Sequence, residues 1–168
     1  MKMKELQITL KEGKHIEERV IERLKELQLT VTTAESCTGG LIAARLVNVA
    51  GASQVFGRGF VTYANEAKEE ELGVKHETLQ QYGAVSKQTV KQMARGAAAH
   101  GKADVAIAVT GLAGPDGGTK EKPVGLVYVG IFYKDKVYWQ KFHFKGNRST
   151  IRELTVVNSL QNMLRVLQ

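Results

Sequence analysis

Ser36 stands in the run Thr33-Ala34-Glu35-Ser36-Cys37-Thr38-Gly39-Gly40, between an apolar β-like stretch and an apolar helical one. A strand-to-helix turn is a place where an enzyme holds a nucleophile. The leading N–H groups of a helix have no intrahelical partner, so they can stabilise a phosphate or the oxyanion of acyl transfer. A plainer reading fits the same residues: Ser36 or Thr38 caps the helix while Gly39 and Gly40 ease the turn.

A serine hydroxyl is a weak nucleophile at neutral pH and needs a base. No histidine is announced by a G-x-S-x-G context around Ser36. Lys68, in Tyr63-Ala64-Asn65-Glu66-Ala67-Lys68, is a candidate, because burial or a nearby cation lowers a lysine pKa and frees the neutral amine. As one of 24 basic residues it also fits an ordinary solvated lysine.

A second loop, Thr110-Gly111-Leu112-Ala113-Gly114-Pro115-Asp116-Gly117-Gly118-Thr119, has the composition of an anion cradle. Its glycines let backbone N–H groups approach a ligand, and Pro115-Asp116-Gly117 favours a defined turn. It lacks the Gly-Lys-Ser/Thr ending of a Walker loop, and Gly111-Leu112-Ala113-Gly114 does not satisfy the dinucleotide pattern. A purely structural connection fits its composition equally well. Arg148 and Arg152, after Gly146, suit a phosphate clamp, a helix cover or carboxylate partners.

The elements that would position these groups follow from periodicity. Ile16, Val20, Ile21, Leu24 and Leu27 recur at helical spacing. Residues 29–34 predict a strand, and residues from Leu41 the first turns of a helix. Gly59 to Tyr63 predict a second strand, and Asn65 to Leu72 a short helix ended by Gly73. Ser86 caps a helix to about His100, whose Ala-rich face suits close approach to a sheet. Asp104 to Thr110 predict an apolar strand. Val124 to Tyr133 and Val137 to Phe144 form an antiparallel hairpin about Lys134-Asp135-Lys136, and a last helix runs from about Ser149 to Leu167. Interleaved helices and strands with a late hairpin predict an α/β fold, a three-layer α/β/α sandwich with a mixed β-sheet.

The 168 residues, 43% hydrophobic, suit one domain over 1–168 with a substantial core. No apolar run approaches the roughly 20 residues of a membrane span, and no secretory segment follows the charged start Met1-Lys2-Met3-Lys4-Glu5, so a cytoplasmic protein without membrane association is expected. A single cysteine, Cys37, forms no internal disulfide, and four isolated histidines suggest no metal. The net charge of +7 permits attraction to nucleic acid or to a small anion. Residues 134–168 hold seven basic side chains against two acidic ones. No nucleic-acid signature accompanies them, so nucleic-acid binding is disfavoured.

Taken together, Thr32 to Gly40, Gly59 to Lys68, Gly83-Ala84-Val85-Ser86, Thr110 to Gly118 and Lys122-Pro123-Val124-Gly125 resemble the CinA C-terminal domain family, over roughly residues 12–167. The resemblance implies hydrolysis of the carboxamide of nicotinamide mononucleotide to nicotinate mononucleotide and ammonia, in pyridine-nucleotide recycling, with no cofactor. It implies Ser36 as nucleophile and Lys68 as general base. Around them, Glu35, Cys37, Thr38, Tyr63, Asn65, Thr110 and Gly111 are the expected surroundings of the substrate, with oxyanion donors near Cys37 and Thr38. Arg148 is expected on the phosphate, with backbone contacts from Gly114, Asp116, Gly117 and Gly118. Family members often carry serine where this chain has Ala64, and the chain resembles the standalone form. The alternative is a noncatalytic nucleotide-binding or partner-interaction module of the same fold. A homo-oligomer is compatible with either.

Overall fold

The computed structural model describes residues 15–168; the charged start lies outside them. Five strands form one sheet in the order β2-β1-β3-β4-β5: β1 (Val31–Glu35), β2 (Phe56–Val61), β3 (Val105–Gly111), β4 (Leu126–Tyr133) and β5 (Lys136–His143). β1 lies parallel to both β2 and β3, whereas β4 runs antiparallel to its neighbours β3 and β5. The helices are α1 (Ile16–Glu26), α2 (Leu41–Val47), α3 (Asn65–Leu72), α4 (His76–Tyr82), α5 (Lys87–Gly101) and α6 (Arg148–Val166). The expected three-layer α/β/α architecture with a mixed sheet is present.

β3 explains how the layers divide. Its residues alternate faces, as any strand requires. Val105, Ile107 and Val109 join the core built from α1, α2 and α6, whereas Ala106 and Ala108 join that of α5. The small residues leave room for α5 to lie close. Gly130, paired with Ala108, continues this furrow: a Cβ there would stand 3.2 Å from the Val90 carbonyl. On α5 itself, Val90, Met93, Ala94 and Ala97 recur at helical spacing and are buried.

Several boundaries follow local chemistry. Ser86 accepts a hydrogen bond from Thr89 N and starts α5. Gly73, at φ 63°, ends α3. Lys134 and Asp135 both take positive φ in the tight hairpin turn. Other features depart from expectation. β2 begins at Phe56 rather than Gly59, because Gly57 and Gly59 on an exposed edge strand hide its alternation. α4 was not expected at all; its sequence HETLQQY buries only Thr78 and Leu79, too few to make an apolar face. No helix among the described residues is long and apolar enough to cross a membrane.

Candidate active site

The topology creates the site. α2 follows β1 and packs on the α6 side of the sheet, whereas α3, α4 and α5 lead from β2 to β3, with α5 on the opposite face. Between the carboxyl ends of parallel β1 and β3 the chain departs in opposite directions, which opens a crevice there. Ser36 follows β1 directly, and its N–H donates to the Val109 carbonyl of β3 at 3.1 Å.

The turn at Ser36 is closed by Gly39 N donating to Ser36 O at 3.1 Å. Neither Ser36 nor Thr38 caps α2. Gly40 is the cap residue, at φ 96°, and no cap side chain is used. Glu35 does that work instead: its buried carboxylate accepts from Gly40 N and Ile42 N at 3.0 Å each and from Ala43 N at 2.8 Å. A carboxylate is favoured at this positive helix end. Glu35 therefore shapes the turn, and it lies off the wall of the cavity described below. The helix-start amides first considered for an anion are likewise taken. Among the described residues, the amides without an acceptor beside Ser36 are those of Cys37 and Thr38.

Lys68 is 1% exposed, so it is no solvated lysine. It sits one turn inside α3, and its side chain runs back toward the helix start as helical side chains do. There Nζ donates to the carbonyls of Thr62 at 2.8 Å, Tyr63 at 3.1 Å and Ala64 at 3.3 Å. Burial pulls the Lys68 pKa below its ordinary 10.5, against the opposing pull of the Glu66 carboxylate. Burial also pushes the Cys37 thiol up to about 12, so Cys37 is a packed neutral thiol rather than a second nucleophile.

Ser36 and Lys68 wall one cavity of about 250 Å³. Tyr63, Thr110, Gly111, Gly114, Asp116 and Arg148 share it, along with Cys37. Arg148, the first residue of α6, donates from Nη1 to the Gly114 carbonyl at 2.8 Å and from Nη2 to Tyr63 Oη at 3.1 Å. It thereby joins the segment before α3 to the glycine-rich loop. Thr110 donates to the Ala84 carbonyl at 2.8 Å, so its hydroxyl ties β3 to the segment ahead of α5. Ala84, Val85, Leu112 and Ala113 complete the lining. These apolar residues carried no chemical signal in the sequence.

Four expected substrate contacts besides Glu35 lie off the cavity wall. Thr38 is fully buried with its hydroxyl unpartnered, Asn65 is exposed at the start of α3, and Gly117 and Gly118 are exposed along the loop. Arg152 was weighed as a phosphate ligand. It instead donates to the Cys37 carbonyl at 3.1 Å and the Thr38 carbonyl at 2.8 Å. Among the described residues, no three His, Cys, Asp or Glu side chains come together as metal ligands would.

A three-layer α/β/α domain with a serine turn and a buried lysine at its switch-point crevice is thus defined. The family model of the CinA C-terminal domain matches residues 13–167, and the chain belongs to that family. A relative from Clostridium novyi (strain NT), named for competence-damage inducibility, is 52% identical over 152 residues, which cover 90% of this chain and 37% of the relative. The CinA-like protein of Kosmotoga olearia is 48% identical, with 90% of this chain and 37% of that protein covered. The chain thus spans little more than a third of these relatives' length. The crystal structure of competence/damage inducible protein CihA from Agrobacterium tumefaciens superposes with a TM-score of 0.89 at 47% identity, covering 91% of this chain and 94% of that one. A CinA superfamily protein from Escherichia coli gives 0.89 at 36% identity, covering 95% and 94%.

Proposed function

We propose that the chain hydrolyses the carboxamide of nicotinamide mononucleotide to nicotinate mononucleotide and ammonia, using Ser36 and Lys68 and no cofactor. The observation that carries this reading is one cavity walled by both Ser36 and the buried Lys68, with the unpaired amides of Cys37 and Thr38 beside the serine. Family membership is compatible with it.

Ser36 Oγ attacks the carboxamide carbon while its proton passes to neutral Lys68 Nζ. The carbonyl oxygen becomes an oxyanion, and the Cys37 amide, unpaired at the cavity wall, is the available donor for it. The C–N bond then breaks, and the Lys68 ammonium gives its proton to the departing nitrogen, releasing ammonia. Water attacks the ester on Ser36 and loses a proton to Lys68; the ester C–O bond then breaks, Lys68 returns that proton to the Ser36 oxygen, and the freed acid ionises to the carboxylate. A neutral amine has two N–H bonds and one lone pair. Lys68 therefore keeps at most two of its three carbonyl contacts when its lone pair turns to Ser36. Arg148 at the cavity rim suits the phosphate of the mononucleotide.

One observation favours a second reading. Lys68 spends all three donors on backbone carbonyls, and among the described residues no hydrogen bond joins it to Ser36. A structural lysine in a noncatalytic nucleotide-binding module would look the same. Incubating the purified chain with nicotinamide mononucleotide separates the readings. Ammonia and a product mass matching nicotinate mononucleotide support the hydrolase; saturable binding without ammonia supports the module.

A further inference from the structure

Arg152 stands outside the cavity, yet both carbonyls it holds belong to the turn beside Ser36. It lies one helical turn beyond Arg148 on α6, so the two side chains leave the same face. Arg148 reaches the substrate cavity, whereas Arg152 reaches the back of the nucleophile turn. Its Nε meets Cys37 O at 3.1 Å and its Nη2 meets Thr38 O at 2.8 Å. The guanidinium also packs on Gly39, where a Cβ would come 3.6 Å from Nη2.

A trans peptide unit is planar, and its C=O and N–H point in opposite directions. Holding the Cys37 carbonyl toward α6 therefore aims the Thr38 N–H away from α6. Holding the Thr38 carbonyl the same way aims the Gly39 N–H back into the turn, where it donates to Ser36 O at 3.1 Å. Two consecutive peptide planes are thus held by one rigid fork of donors, the Thr38 carbonyl also accepting from Leu41 N at 3.3 Å. The bond from Gly39 N in turn holds the Ser36 carbonyl, so the N–H of the same peptide, that of Cys37 at the cavity wall, is turned the opposite way and left unpaired.

We infer that Arg152 is a positioning residue: its fork on the Cys37 and Thr38 carbonyls holds the turn that presents Ser36 and the oxyanion-stabilising Cys37 amide at the cavity wall. This inference rests on Ser36 being the nucleophile. It does not require that the substrate be nicotinamide mononucleotide. Lysine at this position would keep the charge and lose the planar fork, and methionine would lose both.

The test compares wild type, Arg152→Lys and Arg152→Met in two assays on the folded chain. The first is steady-state deamidation. The second is labelling of Ser36 by a fluorophosphonate, in which the serine oxygen displaces fluoride from phosphorus and the phosphoryl oxygen needs the same amide donor. Removing one oxyanion donor costs about 10²–10³ in kcat, so both variants are expected to lose about 10²-fold in kcat and in labelling rate. KM should stay within about threefold, since the guanidinium makes no substrate contact. Wild-type rates in Arg152→Met overturn the inference, and so does full recovery in Arg152→Lys, because charge alone would then suffice. A wild-type chain that labels at Ser36 without deamidating refutes the substrate reading, and the labelling series then decides the role of Arg152 alone. A wild type that neither deamidates nor labels overturns both.

Discussion

Lys68 Nζ and Ser36 face one cavity, but the lysine's nearest acceptors are the backbone carbonyls of Thr62 and Tyr63, at 2.8 and 3.1 Å. The segment that precedes α3 therefore doubles as the cradle of the proposed base. Burial of the ammonium and three carbonyl contacts act on it in opposite senses: burial favours the neutral amine, and the carbonyl dipoles favour the charged form. That balance makes the ionisation of Lys68 the property on which the proposed chemistry depends.

Activity should rise with pH through an ionisation below the ordinary lysine value of 10.5, because only the deprotonated amine accepts the Ser36 proton. The stability sign is the same. With the folded pKa lowered, the unfolded chain binds more protons between the folded and unfolded pKa values, so stability rises with pH across that window. Lys68→Met should remove the pH-dependent step in kcat. Rate profiles and urea midpoints measured in parallel against pH check both statements, and an unchanged rate profile in the variant would count against the base role.

Glu35→Gln should destabilise the fold rather than alter substrate affinity. The variant keeps one acceptor oxygen but loses the charge that serves three amides at the start of α2. Hydrogen bonds to charged groups contribute about 1.5–3 kcal/mol each, and a loss of at least about 1.5 kcal/mol is expected by urea unfolding. Nucleotide affinity changing without loss of stability would place Glu35 back in the substrate site.

Gly96→Ala should disturb the lysine from a distance. A Cβ on Gly96 of α5 would stand 1.8 Å from the Leu72 carbonyl, at the end of the helix that carries Lys68. No flexible side chain can yield there, so overpacking should cost about 1–3 kcal/mol and move α3 off α5. A lowered melting temperature together with reduced kcat in the folded protein is expected; wild-type stability would show that the two helices part without strain.

Arg148→Ala should raise KM for the phosphate-bearing substrate by about 10- to 100-fold, the worth of a charge-assisted contact. The corresponding nucleoside, which lacks the phosphate, should be affected little. Equal losses for the two would assign Arg148 to holding Tyr63 and Gly114 in place.

The residues that were legible in the sequence and those that were not differ in the range of their interactions. Ser36 was legible because the pattern changes from β-like to helical across Gly39-Gly40, and α5 because its alanines repeat at helical spacing. Lys68 was selected by resemblance, since nothing in its neighbours shows that the side chain turns back on Thr62, Tyr63 and Ala64. The helix-start role of Glu35 was hidden because its carboxylate reaches five to eight residues ahead, past the usual capping distance. Arg152 meets Cys37 across 115 residues, a contact that no local pattern encodes. Polar α4 was missed for want of an apolar face.

The central claim is that Ser36 and Lys68 together cleave the carboxamide. Ammonia release with mass detection of nicotinate mononucleotide, run on wild type, Ser36→Ala and Lys68→Met after circular dichroism shows all three folded, tests it most directly. Turnover by wild type and a loss of about 10³-fold or more in each variant is the predicted result. Undiminished turnover in either variant would contradict it.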